Sequence, residues 1–394
     1  MCRWSRIYCT EFKTLWRWLH RMFSVRLVEH PLPTLERDAD RLVEWMVDTL
    51  CLVRKRGDAM ADQGRAGPVH RLLRDHLFGD PATAWDAQIL ADELGHMPAS
   101  LNHHLARLVE TGLVGYTNEG KGWRRYYLKG GSVSNAVAHL RQQATLVVTQ
   151  RMELLSTEWS RSGEPLPVEL PTEEDNPLFL GLVDHRPVPD EGGGSPLSHW
   201  MNDFGLLGER PGQELEADSV SVRLFRTLLT RNEPLSLDEA EDLLGGQKAR
   251  LGRILERFRS TGMVERVPRT DRLSTALWSA ITTQSQRRGE DWLLKKGGFE
   301  RLLSNEQQAA LLQPLKSGSL TVDKVNQALS SVEPREQMLL LNLLGGRLPM
   351  GYRMAGPSPD AVQREVMNRL ERVLRRMVRV AGLLDEALGA SDQG

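Results

Sequence analysis

The chain has 394 residues, of which 40% are apolar and 26% are charged. This composition is ordinary for a globular protein of two or three domains, and it excludes a disordered, collagen-like or disulfide-stapled chain. With three cysteines at least one stays unpaired, and none belongs to a CxxC pair or a Cys/His cluster. This usage favours a reducing compartment and argues against a zinc or iron–sulfur site. No apolar run approaches the ~20 residues that span a bilayer, so we predict a cytoplasmic protein. We also expect no cofactor.

The formal net charge of −1 hides two segments of opposite charge. Residues 165–220 contain twelve acidic residues, two arginines and eight of the twenty prolines, which predicts an acidic linker over 161–218. Residues 248–288 contain ten basic residues and three acidic ones, a balance that favours a nucleic-acid partner. Pairing of the linker with the basic segment, as an intramolecular clamp, is the alternative.

The N-terminal region, residues 1–61, is predicted to be helical. Its first 21 residues mix tryptophans with arginines and lysines, as in helices that lie on a membrane surface. A packed helix, or a translation start at Met22, are the alternatives for that segment. A second helix is expected over 33–60, with Thr34 as its cap.

The most diagnostic pattern follows this region. Apolar residues at helical spacing predict helices over 86–94 and 98–111, and two short strands over 113–116 and 123–128 flank a glycine-containing turn. Two helices followed by a hairpin are the outline of a winged helix-turn-helix. We assign this first domain to residues 62–160.

An internal repeat predicts a second domain of the same kind. Residues 94–114 and 244–264 align without a gap, with nine identities at a constant separation of 150 residues. Because the core leucines have the same spacing in both copies, we assign the second domain to residues 219–303. Its wing is expected to pair residues 264–267 with residues 275–278.

Two long helices carry continuous apolar stripes. One is predicted over 133–159 and the other over 359–388, within a helical C-terminal region, 304–394, that also contains three shorter helices. Each stripe suits either a homodimer interface or packing within one chain. The arginines around the second stripe suit a solvated face or phosphate contact.

The segments ILADELG and SLNHHLARLVETGLV, the Gly-Lys-Gly turn and the strand WRRYYL resemble the ArsR-type winged-helix regulators of prokaryotes. The resemblance covers residues 83–130 and, in diverged form, the second copy. It implies a dimeric transcription factor whose second helix enters the major groove. The cysteine motif of the metal-sensing members is missing because no cysteine follows Cys51, so a metal site of their kind is not expected.

Outward positions on the second helix and the wing of each copy are the candidate DNA contacts. Asparagine can bond adenine through two hydrogen bonds, and basic side chains on a wing meet phosphates. A solvated face is the alternative for all of them. The candidates are Ser100, Asn102, His103, Arg107, Lys121, Arg124 and Arg125 in the first copy and Lys248, Arg250, Arg253, Arg257 and Arg269 in the second.

These patterns predict a mainly α protein with small β wings, in which tandem winged helix-turn-helix domains lie between helical N- and C-terminal regions. We expect it to bind double-stranded DNA and to regulate transcription. The sequence has no phosphate-binding glycine loop, nucleophile elbow or HExxH motif, so we do not expect an enzyme. The alternatives are a winged-helix scaffold that binds a chromosome-organisation or basal-transcription partner, and a replication initiator.

Overall fold

The described part of the computed structural model is mainly helical, with three small antiparallel sheets. The predicted basic helix at the N-terminus lies outside the described residues, as do Thr34 and residues 54–60 of the helix expected over 33–60. Within the described residues this helix is shorter than predicted, because it runs from Ala39 to Thr49 and is capped by Asp38. The N-terminal region is also not wholly helical, since Ser24–Val28 form a strand. The structure describes residues 22–33, 36–53, 67–118, 124–160, 176–184, 193–208 and 215–389.

The first half of the chain forms one structural repeat, in which the predicted helices and hairpin are confirmed. Asp86 caps the helix Ala87–Leu94 by accepting a hydrogen bond from the N–H of Gln88, and Gly95 ends this helix with a φ of 65°. Pro98 opens the next helix, where a missing N–H costs nothing. In chain order the elements are β1 (Ser24–Val28), α1 (Ala39–Thr49), α2 (Pro68–Arg71, continued by a π-helix, Leu72–Leu77), β2 (Trp85–Asp86), α3 (Ala87–Leu94), α4 (Pro98–Glu110), β3 (Val114–Thr117), β4 (Arg125–Leu128), α5 (Val133–Arg151) and α6 (Glu153–Glu158).

The second repeat starts inside the segment expected to be a linker. Strand β5 (Phe179–Val183) pairs with β1, and α7 (Pro196–Asp203) buries Trp200 and Met201. This pair of residues matches Trp45 and Met46 of α1, which are also buried. Residues 161–218 are therefore not simply a linker, because they include the counterparts of β1 and α1.

The second repeat continues with the same order of elements. These are α8 (Val220–Thr230), α9 (Leu237–Leu244), α10 (Lys248–Ser260) and β6 (Val264–Pro268), followed after a long helical insert by β7 (Met350–Met354) and the C-terminal helix, given below. In the first repeat Val114 faces Leu128 across the strand pair, and in the second Val264 faces Met354 in the same register. The partner of β6 is therefore β7.

The strand expected over 275–278 is wrong, because these residues lie within a helix. Leu273, Leu277 and Ile281 recur at helical spacing and are buried together, so the segment follows a helical period. The helices of the insert are α11 (Leu273–Arg288), α12 (Glu290–Lys295), α13 (Phe299–Leu302), α14 (Asn305–Lys316), α15 (Val322–Ala328) and α16 (Pro334–Leu343).

The insert has its own hydrophobic core. Leu277, Phe299 and Leu340 are fully buried in a cluster separate from the core that the two repeats share. The Trp278 Nε1–H donates to the carbonyl of Leu320 at 2.8 Å. The boundary predicted between residues 303 and 304 therefore falls within one packed unit, whereas β7 and the final helix belong to the second repeat.

The final helix, α17 (Pro359–Gly389), packs along α5, and each helix buries its apolar stripe. Arg141 forms an ion pair with Glu371 between the two helices. The Asp385 carboxylate accepts hydrogen bonds from the N–H groups of Val133 and Ser134, at 2.9 and 3.0 Å, and so caps the start of α5. The homodimer through these two stripes is therefore not supported, since each stripe is already covered within one chain.

Candidate nucleic-acid interface

Helix α4 presents a small, polar outer face. Leu101, Leu105 and Leu108 are buried, whereas Ser100 and His103 are exposed and Asn102 is partly exposed. The inward and outward sides of this helix are thus as the sequence predicts. Small polar side chains allow a helix to approach base edges closely.

Arg107 and Arg257, identical in the two repeats, hold their helices to the fold. The Arg107 guanidinium donates to the carbonyls of Cys51 and Leu52, at 2.7 and 2.8 Å, just after α1. Arg257 donates at 3.4 Å to the carbonyl of Leu206, just after α7. Because the same bond recurs in both repeats, these two arginines stabilise the architecture, and we leave them out of the candidate interface.

The hairpin of the first repeat carries two basic residues in the described region. The Arg124 guanidinium lies 4.8 Å from the centre of the Tyr116 ring, within the range of a cation–π contact. Arg125 is exposed at the start of β4. Lys121, the candidate at the tip, lies outside the described residues.

Helix α10 presents a basic outer face at the matching positions. Arg250 and Arg253 are exposed and lie 150 residues after Ser100 and His103, so they occupy the same sites on the repeated helix. The Arg253 Nε–H donates to the carbonyl of Ala249 one turn earlier, at 3.2 Å. Both guanidinium groups lie on the solvent side of the helix, where a phosphate can approach.

Lys248 is exposed but has acidic neighbours. Its ammonium group contacts Asp238 and lies 3.4 Å from Glu241, both on α9. The hydrogen bond to Asp238, followed by the charges of both carboxylates, raises the pKa of Lys248. These carboxylates reduce the attraction of this end of α10 for phosphate.

Arg269 is only 2% exposed and anchors the insert. Its guanidinium contacts Glu239 at 2.5 Å and Asp271 at 2.6 Å, and these contacts raise its pKa. Its backbone N–H donates to the carbonyl of Pro349 at 2.8 Å, so the two ends of the insert meet. A buried, doubly paired arginine does not reach a phosphate, and Arg269 therefore leaves the candidate set.

Two large apolar side chains are exposed on α3 and at the start of α4, and neither is among the contact residues predicted from the sequence. Met97, at the N-cap of α4, is 75% exposed, and Ile89 on α3 is 51% exposed. Ile89 does not share the buried face of α3, which Ala87, Leu90, Ala91 and Leu94 form. Exposed apolar side chains that form a continuous patch are typical of contact surfaces.

No family model matches the chain, and none of the curated proteins matches it. Within the residues that the structure describes, no helix is long and apolar enough to cross a membrane. The same residues hold no group of three or more His, Cys, Asp or Glu side chains placed to bind a metal ion.

Proposed function

We propose that this chain is a DNA-binding transcriptional regulator built from two winged helix-turn-helix units of the ArsR-like kind. The order helix, strand, helix, helix, hairpin in the first repeat supports this proposal, as does the three-stranded sheet β2–β4–β3. In the second repeat the bridge between Leu235 and Tyr352 takes the place of the β2–β4 pair. The two units then form an intramolecular counterpart of a dimer.

The observation that carries the proposal is the exposed face of the repeated second helix. It is small and polar on α4 and basic on α10. In this proposal Ser100, Asn102 and His103 contact base edges, while Arg250 and Arg253 contact phosphates or guanines. Because the two faces differ, the preferred DNA site is asymmetric rather than palindromic.

Salt-dependent binding to random-sequence duplex DNA tests this proposal. Fluorescence anisotropy is measured from roughly 50 to 300 mM salt, for the wild type and for the Arg250→Ala/Arg253→Ala variant. The binding constant falls as salt rises, and each phosphate contact makes the slope of log K against log salt steeper by about 0.9. We therefore expect the slope of the variant to be shallower than that of the wild type by about one to two.

The matched control is Arg335→Ala/Arg347→Ala, which removes two exposed arginines from the insert. We expect its slope to equal that of the wild type. If both double variants lose the same slope, general charge explains the binding. If the wild type does not bind the duplex, the proposal in this form is wrong.

A protein-binding scaffold is the second candidate, and the exposure of Met97 and Ile89 favours it. A winged-helix surface that docks on protein would need these apolar side chains and would tolerate the carboxylates of α9. Selection of DNA ligands from a random library discriminates between the two candidates. Enrichment of a defined motif that requires Asn102 favours DNA reading, and failure to enrich any motif favours the scaffold.

A further inference from the structure

An arginine-lined cleft lies on the second repeat, away from the exposed face of α10. It has a volume of about 580 Å³ and lies between the β6–β7 pair, the end of α10 and the first half of α17. This volume is within the range of small-molecule sites. Five arginines line it: Arg259, Arg266, Arg353, Arg369 and Arg372.

Carboxylates hold these arginines in place without cancelling their charge. Arg353 pairs with Glu265 across the strands at 2.7 Å, and Arg369 pairs with Glu365 along the helix at 2.7 Å. Among the described residues, Glu265 and Glu365 are the acidic residues of the lining, and Glu256 and Glu29 pair with Arg259 and Arg372 from outside it. Five arginines against these four carboxylates leave a net positive charge. A guanidinium group has five N–H donors, more than one carboxylate can occupy.

Further contacts fix the other side of the cleft. Arg372 pairs with Glu29, which follows β1 of the first repeat, at 2.8 Å. The Arg369 guanidinium also donates to the carbonyl of Asn176, just before β5, at 3.5 Å. Arg266 lies 6.0 Å from the centre of the Tyr352 ring. The guanidinium groups are therefore preorganised by the joint between the two repeats.

The first repeat shows that the fold does not require these arginines. By the shared strand register, Arg266 and Arg353 correspond to Tyr116 and Tyr127. At the constant separation of 150 residues, Arg259 corresponds to Val109.

The two long helices, α5 and α17, also show that the fold does not require arginine at these positions. Gln143 lies beside Gly112 as Arg369 lies beside Gly262, so these two residues correspond. Three residues further along each helix, Arg372 corresponds to Leu146. The first repeat builds the same framework with none of these five arginines, which points to a ligand rather than to folding as their role.

We propose that the cleft binds a compact anion with two or three phosphate groups. Guanidinium groups match phosphate oxygens through paired, charge-assisted hydrogen bonds. The part of the lining that the structure describes contains no aromatic side chain on which a base would stack, so we expect charge rather than a nucleobase to select the ligand. A single phosphate would leave much of the cleft empty, whereas a triphosphate reaches several of the arginines.

The test is isothermal titration calorimetry of the full chain with inorganic triphosphate, at fixed ionic strength. Sulfate at the same ionic strength measures nonspecific anion binding. We expect saturable binding of triphosphate to the wild type and a loss of about tenfold or more in affinity for Arg266→Gln, because one charge-assisted contact is removed. Arg266→Tyr restores the residue of the first repeat, which this framework already accommodates, and we expect the same loss.

Arg364→Gln is the matched control, because Arg364 lies on α17, is exposed, and is not part of the lining. We expect it to bind triphosphate as the wild type does. The proposal is overturned if triphosphate gives no saturable binding, if sulfate binds equally well, or if Arg364→Gln loses as much affinity as Arg266→Gln. It is also overturned if Arg266→Gln weakens binding of duplex DNA but not of triphosphate, since the cleft would then hold the nucleic-acid backbone.

Discussion

The attachment of the insert to the second repeat depends on Glu239, and replacing it with glutamine tests that dependence. Glu239 lies in the first turn of α9, where it accepts from the N–H of Ser236 and contacts Arg269 at 2.5 Å. Burial raises the pKa of Glu239, but these hydrogen bonds and the charges of Arg269 and Arg231 outweigh burial and lower it from 4.5 to about 2.

A pKa lowered this far corresponds to about 3 kcal/mol of stability at neutral pH. Because the folded-state pKa is below the unfolded value, this contribution is fully present above about pH 5. It is lost progressively as the pH falls from 4.5 towards 2, and about half of it is left near pH 3. We therefore expect Glu239→Gln to lower the free energy of unfolding by about 3 kcal/mol at pH 7 and by less at pH 3.

Denaturant unfolding followed by circular dichroism measures both values. Asp242→Asn is the control, because Asp242 is exposed on the same helix, and its effect is expected to stay within about 0.5 kcal/mol. If the two variants unfold alike, or if the cost of Glu239→Gln is independent of pH, the ion pair does not anchor the insert.

Two further predictions concern the joints of the fold. Asp385→Ala removes the carboxylate that caps α5, so we expect a loss of about 1–2 kcal/mol in unfolding free energy, whereas Glu386→Ala, at an exposed ion pair, changes it little. Equal effects of the two variants would contradict the capping role. Replacing residues 269–349 by Asn-Gly joins β6 directly to β7, because Pro268 and Met350 face each other, and we expect circular dichroism to show that the two repeats still fold cooperatively. A shortened chain without a cooperative transition would show that the repeats need the insert.

The elements that the sequence predicted well are those defined by local periodicity. The stripe of Leu101, Leu105 and Leu108 sets the inner face of α4, and the stop at Gly112 follows from its positive φ. The alignment at a separation of 150 residues likewise identified α10 as the counterpart of α4. Each of these signals lies within one helix or one turn, so it can be recognised from one sequence without knowledge of the tertiary contacts.

The missed features depend on residues far apart in the chain. Strand β6 finds its partner only after the insert, and no local turn signal shows a strand at Met350–Met354. Strand β5 is a short apolar run among prolines, and its partner β1 lies in the other repeat. Arg269 has the same sequence context as an exposed basic residue, and only the convergence of Glu239 and Asp271 buries it.

The packing of α5 against α17 places both halves of a twofold-like unit on one polypeptide. Such a unit does not separate on dilution, because the second half stays at a high effective concentration next to the first. If the chain binds DNA as proposed, the fraction of DNA sites occupied is expected to rise in proportion to protein concentration, because no dimerisation step precedes binding. Covalent linkage also frees each half to accumulate its own substitutions, since neither has to match an identical copy of itself, and the pair Tyr116 and Arg266 is one such divergence.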